Sequence, residues 1–331
     1  MKARIALIYG GSSSERDVSI MGYEYVTELL KDSKYDILPV LIDETGEWQV
    51  FIRGAYTPAF PTRNMGGSLY TGYGFIKIDA AIPLLHGEGG EDGSVQGALE
   101  VSGIPYVGAR VCASALCLDK TYAKTVAESL GIPAVKSVSF SETTDVESAL
   151  ELCRERLGFP TFIKPRRLGS SVGAYPIRDD ADFRYAFPRA MREGKNLVLA
   201  EKMLTDKREL ECAFCEMNGE KTVTPPGEIL VDGFYGYDEK YGGNTRTTAT
   251  ADIPDDVAEQ ITEYSRKLAD ALGLRHLARI DYFLSDDVLY FNEVNTFPGF
   301  TRESLYPKML MANGIDPAHA LISFVEDALG C

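Results

Sequence analysis

The chain has 331 residues, 45% hydrophobic and 25% charged, the composition of a soluble globular protein long enough for two or three domains. Its formal net charge of −15 argues against a general binder of nucleic acid or anionic membrane, yet leaves room for a local basic site for phosphates. No apolar run approaches transmembrane length, and the N-terminal MKARIALIYGG has too short an apolar core for a signal peptide.

Residues 3–9 predict a first strand. A Gly-Ser loop and a helix from about Asp17 follow, the order of an α/β unit whose helix N-terminus can attract an anion. Glu15, at the start of that helix, reads from spacing as an acid that complements the helix dipole. Strands are expected at 35–42 and 47–51, then a surface loop over 54–74, which is rich in Gly, Tyr and Thr. A buried strand at 78–85 ends at His86-Gly87 and opens into EGGEDGSVQGALE. Loops beyond the C-terminal ends of strands are where open α/β sheets take ligands. His86 there is either a site residue or a capped loop residue. The unit closes near Ala113.

Residues 119–130 predict an amphipathic helix ended by Gly131-Ile132-Pro133. A strand at 134–140, a helix near 144–156 and a strand at 161–165 come next. The loop RRLGSSVG (166–173) follows closely on Lys164; its Gly and Ser residues make it donor-rich and suited to covering phosphates. No Walker motif occurs. Strands are expected at 196–201 and onward to about Val231. Cys212 and Cys215 form a CxxC inside this apolar run with no second pair, so the six cysteines read as structural or free thiols of a reducing cytoplasm.

Residues 232–248 are polar, Gly-rich and aromatic, a long loop of the kind that carries function. A strong helix is expected over 255–272, with Val257, Ile261, Tyr264, Leu268 and Leu272 on its apolar face. A hairpin follows, with strands at 278–284 and 288–294 around the turn Ser285-Asp286-Asp287. It sets Asp281 against Glu293 and Asn295, which are two apart and so share a face. Three oxygen donors on one face suit Mg²⁺ that also holds nucleotide phosphates. The bland alternative is an edge hairpin with solvated acids; the full run with Arg279 favours the metal site. Pro298-Gly299 lets backbone N–H groups approach a substrate. Helices near 303–313 and 316–329 end the chain.

Lys120, Lys164, a Gly/Ser loop, a basic-aromatic loop and a carboxylate hairpin make a nucleotide site without a P-loop. With the runs YGGSSSERDVS, LLHGEGGEDGSVQGALE, ALCLDK, FIKPRRLGSSVG, DEKY, ARIDYF and FNEVNTFPGFT in this order, the chain resembles the D-alanine:D-alanine ligases along nearly its whole length. The resemblance implies an ATP-grasp fold of α/β and α+β parts: an N-terminal Rossmann-like α/β domain (1–118), a central subdomain (119–205) and a C-terminal catalytic domain (206–331). It implies a cytoplasmic homodimer.

It also implies roles. Lys120 and Lys164 would bind ATP phosphates, Glu201, Lys202 and Leu204 the adenine, and Glu209 the ribose. Asp281, Glu293 and Asn295 would carry two Mg²⁺ ions, or Mn²⁺ in their place. Glu15 would pair with the ammonium of the first D-alanine, with His86 nearby. Arg279 and the Gly299 N–H would form the oxyanion site, and Ser304 and Leu305 would receive the second substrate. Ser170 and Tyr241 would link to Glu15 when residues 232–248 close as a lid, and Lys240 would reach the γ-phosphate. The chain departs from the family pattern at Arg166-Arg167-Leu168, where relatives often have a small residue beside the lysine-proline, and in the lid after Tyr241. D-serine is therefore the alternative to D-alanine as second substrate, while Tyr241 argues against D-lactate. Another ATP-grasp carboxylate–amine ligase and a non-catalytic nucleotide-binding protein are the remaining readings.

Overall fold

The computed structural model describes residues 2–169, 173–204, 206–230 and 246–330. Its strands form three sheets, taken in turn along the chain.

The first sheet holds β1 (Arg4–Gly10), β2 (Asp36–Ile42), β3 (Trp48–Ile52), β4 (Ala55–Thr62), β5 (Ser68–Thr71), β6 (Gly74–Lys77) and β7 (Ala80–Pro83), in the order β6-β5-β4-β3-β2-β1-β7. β1 pairs in parallel with both β2 and β7. It is buried on both faces, as a central parallel strand must be: Ile5, Leu7 and Tyr9 join one core with helix α1 (Arg16–Leu30), and Ala6 and Ile8 join another with α2 (Ser94–Ser102). The region expected to be a surface loop, 54–74, instead forms β4 and β5 and runs into β6 at Gly74, an antiparallel extension of the sheet. Its Tyr and Thr residues are good strand formers, and Gly66-Gly67 and Gly72-Tyr73 supply the turns. Because the strands bury little beyond Ala59, Ser68, Leu69 and Thr71, their apolar alternation is faint.

The second sheet has the order β10-β9-β11-β8, from β8 (Ser137–Phe140), β9 (Thr161–Pro165), β10 (Tyr175–Ile177) and β11 (Val198–Lys202). Helices α5 (Val146–Arg156) and α6 (Asp180–Glu193) pack on it through Leu150, Cys153, Phe183, Phe187 and Ala190. β10 and α6 had no counterpart in the sequence reading. Pro188 sits inside α6, where it removes a backbone donor, but Asp179 caps the start by accepting from Ala181 N–H and Asp182 N–H.

The third sheet comprises β12 (Arg208–Met217), β13 (Glu220–Val223), β14 (Gly227–Leu230), β15 (Arg246–Thr248), β16 (Leu277–Ser285) and β17 (Val288–Asn295). On one face, helices α4 (Lys120–Ser129) and α7 (Asp255–Leu272) cover Leu210, Cys212, Ile280, Tyr282 and Phe291. The other face meets the first sheet. There α8 (Leu305–Ala312) and α9 (Pro317–Leu329) place Tyr306, Met309, Leu321 and Phe324 in the same core as Leu7, Ile82, Ala213 and Cys215. Cys212 and Cys215 thus point into different cores, since residues three apart on a strand face opposite ways; they cannot share one metal. α3 (Val111–Leu118) leads into α4, and no helix among the described residues is long and apolar enough to cross a membrane.

Candidate active site

The expected hairpin exists, and its register has a cause. Asp281 lies opposite Glu293 and Arg279 opposite Asn295, but Tyr282 lies opposite Phe291, leaving Asn292 as a bulge. The bulge shifts the parity of β17: Leu289 and Phe291 face the α4/α7 core, and so does Val294. Without the extra residue Glu293 would point into that core. With it, Arg279, Asp281, Glu293 and Asn295 share one face.

Cations already meet these acids. Arg279 donates from Nε to Asp281 Oδ1 at 2.8 Å and from Nη2 to Oδ2 at 2.7 Å, and its Nε is 3.0 Å from Glu211 Oε2. Asn295 Nδ2 donates to Asp281 Oδ2 at 3.1 Å. Lys120 Nζ lies 3.2 Å from Glu293 Oε2 and donates to Leu168 O at 2.8 Å. Lys120 is the first residue of α4, capped by Asp119, and Asp119 also accepts from Arg166 and Arg167. The loop after β9 is therefore tied to the start of α4. The donor set of Asp281, Glu293 and Asn295 is all oxygen and suits a hard divalent cation. Among the described residues no three His, Cys, Asp or Glu side chains are grouped so as to hold a metal ion, and the set counts Asn295 as its third donor.

Lys164 and Glu201 meet across β9 and β11. Lys164 Nζ is 2.6 Å from Glu201 Oε2, and Lys124 Nζ is 2.9 Å from Oε1. Burial raises the Glu201 pKa, but the two ammonium groups outweigh it and hold the carboxyl at about 2. Glu201, expected at an adenine, is here the counter-ion of two lysines. Lys202 reaches Phe159 O at 3.3 Å, Leu204 follows at the end of β11, and Glu209 pairs with Lys207 at 2.7 Å.

Glu15 stands at the α1 N-terminus, yet its side chain makes no capping bond. It is the N-cap residue, where an acid complements the helix dipole, and two loops close on it: a Cβ at Gly169 would lie 2.9 Å from Glu15 Oε2, and one at Gly87 would lie 3.0 Å from it. The carboxylate is thus packed between the loops after β7 and β9. His86 is buried and its Nδ1 bonds Phe297 O at 3.0 Å. A carbonyl only accepts, so Nδ1 carries the proton and Nε2 is the acceptor nitrogen. Burial lowers the His86 pKa, against the opposing effect of Glu15. Gly299 packs against Ser304, the N-cap residue of α8, whose Oγ accepts from Thr301 N–H at 3.1 Å. Leu305 is buried beside Gly227. Ser170, Lys240 and Tyr241, and most of the expected lid 232–248, lie outside the described residues.

Four residues of this region were not singled out from the sequence: Glu91, Asp119, Lys124 and Glu211. Lys124 is one helical turn from Lys120, and Glu211 shares a strand face with Glu209, so both had a periodicity signal. Glu91 had none. It is buried and accepts from two backbone donors, Gly87 N–H and Phe297 N–H, each at 3.0 Å. Burial raises its pKa to about 7, Glu15 adding to the rise.

A family model for the D-ala D-ala ligase N-terminus matches residues 4–109, and one for the D-ala D-ala ligase C-terminus matches residues 126–326. The D-alanine–D-alanine ligase of Thermoanaerobacter pseudethanolicus is 36% identical over 337 residues, covering 95% of this chain and 92% of the relative. That of Mycolicibacterium smegmatis is 34% identical over 368 residues, covering 99% and 96%. Among solved structures, D-alanyl-alanine synthetase A from Vibrio cholerae superposes with a TM-score of 0.90 at 32% identity, covering 100% of this chain and 99% of that one. The VanG D-Ala:D-Ser ligase from Enterococcus faecalis gives 0.89 at 32% identity, covering 99% and 100%. The fold is ATP-grasp, an enzyme scaffold for ATP-dependent ligation. Within it, the chain belongs to the D-alanine–D-alanine ligase family.

Proposed function

We propose that the protein joins two D-alanines at the expense of ATP, giving D-alanyl-D-alanine for peptidoglycan precursors. The observation that carries this reading is the face shared by Arg279, Asp281, Glu293 and Asn295, with Lys120 beside it and Lys164 on the neighbouring sheet. Such a set holds phosphates at one end and a carboxyl group at the other.

A carboxylate is a poor electrophile, so the first D-alanine must be activated. Its carboxylate oxygen attacks the γ-phosphorus, the bond to the β-phosphate oxygen breaks, and ADP leaves with the electron pair. Lys120 and Lys164 neutralise the transferring phosphate charge; the family resemblance gives Lys240, outside the described residues, a role at the γ-phosphate. Asp281, Glu293 and Asn295 would hold two Mg²⁺ ions, or Mn²⁺ in their place, and these would supply Lewis-acid stabilisation of the phosphates. Glu201, Lys202 and Leu204 line the adenine site, and Glu209 holds the ribose. Glu15 pairs with the substrate ammonium; the family resemblance gives it Ser170 and Tyr241, outside the described residues, as partners. The amine of the second D-alanine then attacks the acyl carbon. A C–N bond forms, phosphate departs with the C–O pair, and the amine loses a proton. Arg279 and the Gly299 N–H stabilise the tetrahedral oxyanion, while Ser304 takes the acceptor carboxylate and Leu305 flanks it.

D-serine is the second reading for the acceptor, since the chain is similar to a D-Ala:D-Ser ligase as well as to D-alanine–D-alanine ligases. A pocket not built to bond the serine hydroxyl rejects it only about 10²-fold, and one that bonds it can invert the preference. We further place ATP between a central subdomain (119–205) and a C-terminal domain (206–331), beside an N-terminal domain (1–118), in a cytoplasmic homodimer. The test gives purified protein ATP, Mg²⁺ and D-alanine, alone and against equal D-serine or D-lactate, with products separated by mass. D-Alanyl-D-alanine is expected, and D-lactate is expected to be a poor substrate. If no D-amino acid releases ADP, the ligase reading falls.

A further inference from the structure

The loop after β7 and the loop after β17 meet at a single residue, Phe297. Glu91 Oε2 accepts from Gly87 N–H and Glu91 Oε1 accepts from Phe297 N–H, each at 3.0 Å. On the other side of residue 297, the carbonyl accepts from His86 Nδ1 at 3.0 Å. Phe297 is thus held by both its backbone donor and its backbone acceptor, from two residues of one loop. Phe297 itself is buried, and its ring lies against Gly108. The chain reaches Gly299 after one intervening residue, Pro298, whose ring fixes φ. Little freedom remains between the grip on Phe297 and the Gly299 N–H.

The gripping loop is itself fixed. Gln96 Nε2 donates to Gly90 O at 2.7 Å, and Glu91 N–H donates to Gly87 O at 2.7 Å. A Cβ at Gly90 would fall 2.6 Å from Leu85 Cβ, so the turn packs directly on the end of the strand. A carboxylate whose two oxygens each take an N–H from a different segment is a bracket, and both segments carry expected substrate contacts: His86 on one, Gly299 on the other.

We infer that Glu91 is a positioning residue for the ligation step: it holds the Phe297–Gly299 backbone against the loop of His86 and so sets the Gly299 N–H where the oxyanion forms. The inference rests on the ligase reading above. It concerns the second chemical step, because only the attack of the amine creates a tetrahedral oxyanion; phosphoryl transfer to the first carboxylate does not. A misplaced donor slows that step while leaving the acyl phosphate to form, and an acyl phosphate that waits is lost to water.

The test compares full-length wild type with Glu91→Gln and Glu91→Ala, measuring dipeptide and ADP in the same reaction. Removal of one oxyanion donor costs about 10²–10³-fold, so a shifted one is expected to slow dipeptide formation by roughly tenfold or more in Glu91→Ala, with KM for ATP changed by no more than about twofold. Gln keeps one acceptor oxygen and should fall between Ala and wild type. The ADP-to-dipeptide ratio should rise above that of wild type in the same order. A ratio equal to wild type in both variants overturns the inference. So does a loss of rate that follows only a lowered melting temperature, with the ratio unchanged. If wild type itself makes no dipeptide from D-alanine and ATP, the ligase reading has failed first.

Discussion

Asp281 and Glu293 face each other across β16 and β17, and each is already met by a cation, Asp281 by Arg279 and Glu293 by Lys120. The pair is opposed only because Asn292 bulges out of β17. The same contacts that balance the acids here put two positive side chains at the place where phosphate and oxyanion charge would develop. The acids therefore serve the fold and the proposed chemistry with one set of charges.

Replacing Glu293 by Gln tests the metal assignment. A bridging metal contributes several kcal/mol of charge stabilisation, so ligation should fall at least ~10³-fold at saturating Mg²⁺. The fold should persist, because Gln fills the same space and Lys120 keeps its bond to Leu168 O. Circular dichroism and product yield together decide it. Turnover near wild type would remove Glu293 from the metal site.

Gly169→Ala probes the packing over Glu15. The added Cβ would sit 2.9 Å from Oε2 and 3.3 Å from Oε1, so the carboxylate or the loop must shift. Misplacement of about an ångström can cost as much as 10²-fold. We expect at least a ~10-fold loss of kcat/KM for D-alanine and a smaller change in KM for ATP. Equal effects on both substrates would place Glu15 outside the first D-alanine site.

Glu201→Gln should destabilise the protein, since it leaves Lys124 and Lys164 buried without their counter-ion. Breaking such a cluster costs about 3–5 kcal/mol. The sign of the pH effect follows from the folded pKa of about 2, which lies below the unfolded value of about 4.3. The stability supplied by Glu201 is complete above the unfolded value and is lost as pH falls toward 2. The difference in melting temperature between wild type and variant should therefore shrink from pH 7 to pH 3.5. A constant difference would mean that charge is not the cause.

His276 predicts a second acid window. Its Nδ1 accepts from Gly108 N–H at 2.9 Å, and its Nε2 bonds Asp327 Oδ2 at 2.8 Å, so the neutral ring has its proton on Nε2. Burial lowers its pKa to about 4, below the ordinary histidine value of 6.5. The unfolded chain takes up the proton first, so stability present above pH 6.5 is lost as pH falls toward 4. His276→Phe should keep the stacking on Phe324 but orphan the Gly108 N–H, costing about 1–3 kcal/mol at pH 7.5. Its stability should vary less between pH 6.5 and 4.5 than that of wild type. A parallel pH profile for the two proteins would rule this role out.

The order of β1, its glycine loop and α1, the helix over 255–272 and the final hairpin were all legible in the sequence, because each rests on local periodicity. Glu293 and Asn295 share a face for the same reason. Even the bulge left a trace, since the apolar positions Leu289, Phe291 and Val294 change parity between the last two. Other features depended on the tertiary structure. The strands over 55–77 are exposed on the sheet edge and have little hydrophobic contrast to read. The bond from Phe297 N–H to Glu91 spans 206 positions. The grouping of Lys124, Lys164 and Glu201 joins a helix to two strands of another sheet. Local periodicity says which way a side chain points, but not which distant backbone group it will find there. That is decided when the sheets close on their shared cores and every buried charge and donor must be matched.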